Sequence, residues 1–200
     1  VTISGNSASN DGGGISLYEN SSPILENVTI TDNTASGGNG GGITIYESSN
    51  PSLENVIITG NSASESGGGM YCYRSSPSLE NVIISGNSSD GNGGGLVCRD
   101  SSNPSLVNVS ITNNSATSDG GGIWCRDNSS PMLVNCVLWN DTPHEIYFFV
   151  TDNPNSITIS YSDIEGGEEA IITNDNGTVS WGEGNIDADP LFADTTNADY

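Results

Sequence analysis

The chain has 200 residues, 25 acids and three basic side chains, Arg74, Arg99 and Arg126, giving a formal net charge of -22 without a single lysine. That balance excludes a nucleic-acid phosphate backbone as partner, because such binding needs a patch of Lys and Arg that displaces counterions, and it disfavours an anionic membrane surface for the same reason. No run of about 18 apolar residues exists to span a bilayer, so no direct membrane span is expected.

Hydrophobic residues make up only 33% of the chain, which raises disorder as a first reading. Their strict placement removes it. A Gly-Gly-Gly triplet ends at Gly14, Gly42, Gly69, Gly95 and Gly122, at intervals of 28, 27, 26 and 27 residues. Prolines 23, 51, 77, 104 and 131 keep the same period, and so do two asparagine columns, one at 27, 55, 81, 108 and 135 and one at 6, 33, 61, 87 and 114. The opening VTISGNSASN is already mid-pattern, so the chain is expected to be a piece of a longer protein.

Within each repeat the elements follow in a fixed order. After the glycines comes an alternating run such as Ile15-Ser16-Leu17-Tyr18, Met70-Tyr71-Cys72-Tyr73 or Ile123-Trp124-Cys125-Arg126, whose first and third positions face inward. After the proline comes one apolar position, at Leu25, Leu53, Leu79, Leu106 and Leu133. A second alternating run begins at Val28, Val56, Val82, Val109 and Cys136. Nothing shows helical spacing. Three short strands per coil of about 27 residues cannot bury their own apolar face, whereas stacked coils can, at about 4.8 Å per rung. The predicted fold is therefore all-β, a right-handed parallel β-helix, right-handed because crossovers between parallel strands are. Residues 1–140 form regular coils and 141–200 irregular terminal coils, in which Phe148, Trp181 and Phe192 help to close the end.

The stretches NVTITDNTASGGNGGGITIYESSNPSLENV and ITGNSASESGGGMY resemble the right-handed β-helix repeats of bacterial surface and secreted proteins. They are similar to the glycine-apolar repeats of the polymorphic outer-membrane proteins of chlamydiae, with Ile-x-x-Asn where those carry Phe-x-x-Asn. The resemblance covers nearly the whole chain. It implies a β-solenoid located outside the cell or on its surface, serving as a stalk, adhesin or filament segment, and it implies no particular activity.

The candidate sites follow from the columns. Glycines recurring in register read as tight corners, and with no Lys behind them they are not a nucleotide loop. Cys72, Cys98 and Cys125 stand in a column of aliphatics and Cys136 in a column of valines; free buried thiols, one inter-rung disulfide and a metal site stay open as readings. The asparagine columns read as amide ladders. Asp11 and Asp119, ahead of their glycines, are weak calcium candidates against a solvated acidic edge; no other cofactor is called for.

The best candidate binding face lies outward on the post-glycine strand, in the columns Ser16, Thr44, Tyr71, Val97, Trp124 and Tyr18, Tyr46, Tyr73, Arg99, Arg126, followed by Arg74. Rows of Tyr18, Tyr46, Tyr71, Tyr73 and Trp124 beside Arg74, Arg99 and Arg126 suit stacking on sugar rings, so glycans or surface proteins are the expected partners. End-to-end self-association through strand edges is a further expected contact. Two rival readings are weighed beside display. A polysaccharide lyase or hydrolase would need carboxylates concentrated on one rung. Ice binding would use the outward Thr/Ser ladder from Thr2 and Ser4 to Ser110 and Thr112, which Ile57 and Ile83 dilute.

Overall fold

The computed structural model describes residues 1–192, so residues 193–200 of the expected terminal segment lie outside the described residues. The chain winds as a parallel β-solenoid in which each strand between the sheet ends pairs with its equivalents one coil before and one coil after. Sheet A stacks Thr2–Ser4, Thr29–Thr31, Ile57–Thr59, Ile83–Ser85, Ser110–Thr112, Val137–Trp139 and Asp163–Ile164. Sheet C stacks the post-glycine strands from Ile15–Leu17 to Ile123–Arg126 and ends with Ile146–Phe148, which takes its place without a glycine triplet before it. Sheet D stacks the post-proline strands from Ile24–Glu26 to Met132–Val134, then Asn155–Ser160 and Gly177–Trp181.

The coil has four strands rather than the expected three. Sheet B is built from the pairs Ser7–Ala8, Thr34–Ala35, Ser62–Ala63, Ser88–Ser89 and Ser115–Ala116. Two residues carry no readable alternation, and an inward alanine is a faint apolar signal, so periodicity alone passes over this sheet.

Inside the coil, the alternating runs meet in one continuous core. Ile30, Ile58, Ile84, Ile111 and Leu138 from sheet A face Ile43, Met70, Leu96, Ile123 and Ile146 from sheet C, with Leu53, Leu79, Leu106 and Leu133 from sheet D completing each layer. Cys72, Cys98 and Cys125 stack in direct register inside it, and all four cysteines are free and buried. Burial pushes the thiols of Cys72, Cys98 and Cys136 above the ordinary range, as expected of small hydrophobes in an apolar layer.

Two devices hold the corners. The first glycine of each triplet lies at positive φ, from +62° to +72°, a conformation that costs a residue with a Cβ about 1–2 kcal/mol. The second and third glycines are excluded from substitution by neighbouring backbone instead: a Cβ on Gly68 would stand 2.3 Å from the Ser88 carbonyl oxygen. The second device is an amide ladder at the sheet A corner. Asn6, Asn33, Asn61, Asn87 and Asn114 each give their backbone N–H and Nδ2 to the Oδ1 of the next coil's side chain, at 2.6–3.0 Å. From Asn33 onward, Nδ2 also donates to an isoleucine carbonyl one coil back.

Candidate functional site

The post-glycine strand sends its first and third side chains into the core and its second and fourth outward, as a strand must. Beyond Ser16, which is exposed, the second column does not reach solvent. Thr44, Tyr71, Val97 and Trp124 are all buried, Tyr71 at 3% and Trp124 at 4% exposure. The expectation that Tyr71 and Trp124 offer an open stacking surface is therefore corrected. The reason lies in the turn before the strand. A Cβ on Gly40, Gly67, Gly93 or Gly120 would strike the side chain at Thr44, Tyr71, Val97 or Trp124, so the bare glycine lets the turn fold flat against the outward residue. Tyr71, Val97 and Trp124 form a second apolar cluster outside the sheet, bordered by Tyr46, Tyr73 and Tyr147.

The fourth column is the one that lines the surface. Tyr18 and Tyr46 stack with ring centroids 4.9 Å apart and planes at 18°. Tyr46 meets Tyr73 at 5.5 Å, tilted by 57°. Arg74 lies over the Tyr73 ring at 4.9 Å and Arg99 approaches it at 5.8 Å from the next coil. Farther along, Arg126 covers Phe149 at 5.0 Å, and Phe149 in turn packs on Trp124 at 5.6 Å. Tyr18 and Phe149 keep 46% and 37% of their surface exposed. Phe149 escapes the sequence reading because it directly follows the strand Ile146–Phe148, which has no glycine triplet before it to mark the column.

Each arginine is also tied at its guanidinium. Arg74 pairs with Glu47 at 3.7 Å, Arg126 Nε with Asp127 at 2.8 Å, and Arg99 donates to the Tyr71 hydroxyl at 3.4 Å. Burial opposes ionisation of Asp127, but hydrogen bonds from Thr151, Asn153 and Arg126 outweigh it and hold its carboxyl below the ordinary range. The Tyr46 hydroxyl is pushed well up, first by desolvation and then by the Asp11 carboxylate to which it donates at 3.0 Å. These rings are phenols under all ordinary conditions and act as flat faces and hydrogen-bond partners, not as bases.

Beside the rings the residues at the αL corner after each strand, Arg74, Asp100, Ser101, Asp127 and Asn128, line an open cleft of 680 Å³ together with Asn153. It runs along the rod across successive coils and combines donors and acceptors, and Arg74 joins it to the Tyr73 ring.

The weak calcium candidates are not brought together. Asp11 spends both carboxylate oxygens on protein donors, taking Asn39 N–H at 2.6 Å, Asn39 Nδ2 at 3.2 Å and the Tyr46 hydroxyl. Asp119 stands four coils along the same column. Among the described residues, no group of three or more His, Cys, Asp or Glu side chains is arranged to hold a metal ion.

The model of the family described as the right-handed β-helix region matches residues 1–103 and 26–186. The chain belongs to this right-handed β-helix family. Neither the curated proteins nor the solved structures return a match. Family membership fixes the hand of this β-helix and leaves its activity open, since the fold serves as a scaffold on which sites are grafted.

Proposed function

We propose that this β-helix is a non-enzymatic rod, located outside the cell or on its surface, that displays the Tyr18–Tyr46–Tyr73 row and its polar cleft to a polysaccharide. The observation that carries the reading is the gathering of all three basic residues of a chain of net charge -22 on one face, each against an aromatic ring or a phenol. Planar rings offer their faces to the C–H side of a pyranose, while Arg74, Asp100, Asp127, Asn128 and Asn153 supply both donors and acceptors to hydroxyl groups. A neutral or weakly charged polymer fits best, because a strongly anionic one would meet the acidic body of the rod. The length of the cleft along the stacked coils suits a linear chain rather than a single sugar.

A glycan array probed with the intact chain tests this, followed by Tyr73→Ala and Arg74→Ala. Binding to a defined polysaccharide that each variant weakens about tenfold, the worth of one stacking contact of about 1.4 kcal/mol, supports display. Absence of binding to any glycan refutes it. Release of new reducing ends from a bound polymer would replace display by catalysis.

A further inference from the structure

The amide ladder does not end as it begins. Its sixth member is Asp141, not asparagine, and the difference is the NH2 group, which elsewhere in the ladder donates both to the next side chain and to an isoleucine carbonyl. Asp141 Oδ1 accepts from Asn114 N at 2.6 Å and from Asn114 Nδ2 at 2.9 Å, as each ladder oxygen does. Its other oxygen occupies the slot filled elsewhere by an NH2 group. The Nδ2 atoms of Asn33, Asn61, Asn87 and Asn114 lie 3.1–3.2 Å from where a Cβ would stand on Gly14, Gly42, Gly69 and Gly95, and Asp141 Oδ2 lies 2.8 Å from the same point on Gly122. In those coils the slot holds an N–H aimed at an isoleucine carbonyl, an acceptor. A bare carboxylate oxygen there would face acceptors.

The next ladder position is taken by Glu145, four residues on, whose Oε1 accepts the Asp141 N–H at 2.9 Å as an asparagine Oδ1 would. Asp141 and Glu145 are 5% and 6% exposed, and Asp141 Oδ2 and Glu145 Oε2 have no partner of their own. Both face an open cleft of 510 Å³ between this coil and the next, lined also by His144, Glu165 and Ala170. Two buried carboxylates in contact cannot both stay ionised without a cation, and no metal-holding arrangement is present among the described residues.

We propose that a single proton shared between Asp141 and Glu145 stands in for the missing amide N–H, and that its loss to solvent opens the junction between the regular coils and the terminal ones. When the O–H bond breaks, the proton goes to water and two adjacent carboxylates remain beneath Gly122, repelling each other. Glu165, from the following coil, adds a third negative group; its Oε2 accepts the Asn140 N–H at 2.7 Å. His144 shares the cleft, Asp119 lies on the coil above, and Glu168 and Glu169 lie on the short turn of helix that carries Ala170. The segment that gives way is 141–145, which holds sheet C in place through Ile123 N–H to the Glu145 carbonyl at 2.8 Å.

The direction of titration agrees with the geometry. Burial, then the neighbouring Asp141 carboxyl, push Glu145 well above the ordinary carboxylate range; burial also pushes Asp141 up, against the hydrogen bonds that the Asn114 backbone and side chain give it. The folded chain thus keeps protons that the unfolded chain releases near pH 4. Stability from this source is complete below that point and is lost as pH rises through the folded values, at about tenfold in the unfolding constant per pH unit for one retained proton.

Asp141→Asn tests the proposal, since it restores the ladder's own residue. Urea unfolding is compared with wild type between about pH 6.5 and 8.5, below the tyrosine range; the thiols, which begin to ionise in the unfolded chain near the top of that window, are the same in both proteins and cancel in the difference. The wild-type unfolding constant is expected to climb about tenfold per unit relative to the variant. Hydrogen exchange should show the amides of Asn114, Asp141 and Ile123 losing protection at the upper end while Asn33 and Asn61 keep theirs. Glu145→Gln, which supplies the donor from the other side, should flatten the profile in the same way. Parallel profiles for wild type and both variants overturn the proposal. So does stabilisation of wild type by calcium chloride at pH 8 that Asp141→Asn abolishes, because a cation would then fill the gap.

Discussion

Replacing Asn87 by Ala isolates the contribution of the amide ladder, because Asn87 is fully buried in the middle of it. Its Oδ1 accepts Asn61 N–H at 2.9 Å and Asn61 Nδ2 at 3.0 Å; its Nδ2 donates to the Ile58 carbonyl at 2.9 Å and to Asn114 Oδ1 at 3.0 Å. Several partners survive the change. Asn61 Nδ2 keeps the Ile30 and Thr59 carbonyls, and Asn114 Oδ1 keeps the Asn87 backbone N–H. Two groups lose this side chain altogether, the Asn61 N–H and the Ile58 carbonyl. The Ile58 carbonyl stays in the sheet A pairing with Ile83–Ser85, so the buried Asn61 N–H is the group left unsatisfied, at about 1–3 kcal/mol before any cavity is counted. A water entering the vacated space would recover part of that, which places the expected loss at about 2 kcal/mol. Urea unfolding followed by circular dichroism measures it, with an unchanged denaturant slope as the check that only the folded state was altered. Asn108→Gly is the internal control, glycine being chosen because Asn108 lies at φ +55°: Asn81, Asn108 and Asn135 form a second amide row at 2.6–3.0 Å, but exposed to water, and its loss is expected to cost under about 1 kcal/mol. Equal losses at Asn87 and Asn108 would refute the argument that desolvation gives the inner ladder its weight.

Three further outcomes are expected. Gly68→Ala drives a Cβ to 2.3 Å from one backbone carbonyl oxygen and 2.6 Å from another, so it should cost about 3 kcal/mol or prevent folding, whereas Gly5→Ala, at φ +64° with nothing within 4 Å, should cost about 1–2 kcal/mol; melting curves of the two decide. Native protein should give no rapid reaction with a thiol reagent at any of its four cysteines, and four equivalents after denaturation; a native disulfide would show as a deficit in the second count. Trp124→Phe should leave glycan binding within about twofold of wild type while Tyr73→Ala weakens it, because Trp124 is covered and the Tyr73 ring carries Arg74, which lines the cleft; equal effects would show that the outer cluster opens to ligand.

What could be read from the chain was what repeats. Glycine triplets, inward Ile, Leu and Cys and outward Asn recur at one period, and stacking follows because no coil can bury its face alone. What escaped reading depends on contacts between coils. The strand pairs at Thr34–Ala35 and Ser62–Ala63 are visible only once the ladder forms beside them. Tyr71 and Trp124 alternate as solvent-facing residues do, yet the turn at Gly67 or Gly120 closes over them, a consequence of backbone path rather than of side-chain type. Asp141 stands 27 residues after Asn114 and so lies within reach of simple counting. It hides because its residue type changes where the glycine triplet also vanishes.

The places where this repeat departs from itself are therefore the informative ones. A solenoid needs the same residue at the same corner in every coil, and any exchange that keeps the corner but alters its chemistry must be compensated nearby. Ile45 becoming Cys72, Cys98 and Cys125 keeps a small apolar filling and needs nothing further. Tyr46 and Tyr73 giving way to Arg99 and Arg126 exchanges rings for charges, and the compensation is visible in the neighbouring Tyr73, Phe149 and Asp127. Asn becoming Asp141 removes a donor from a buried corner, and Glu145 is placed to answer. The first kind of departure is neutral, the second makes a surface that can recognise a ligand, and the third makes a junction whose strength depends on a proton.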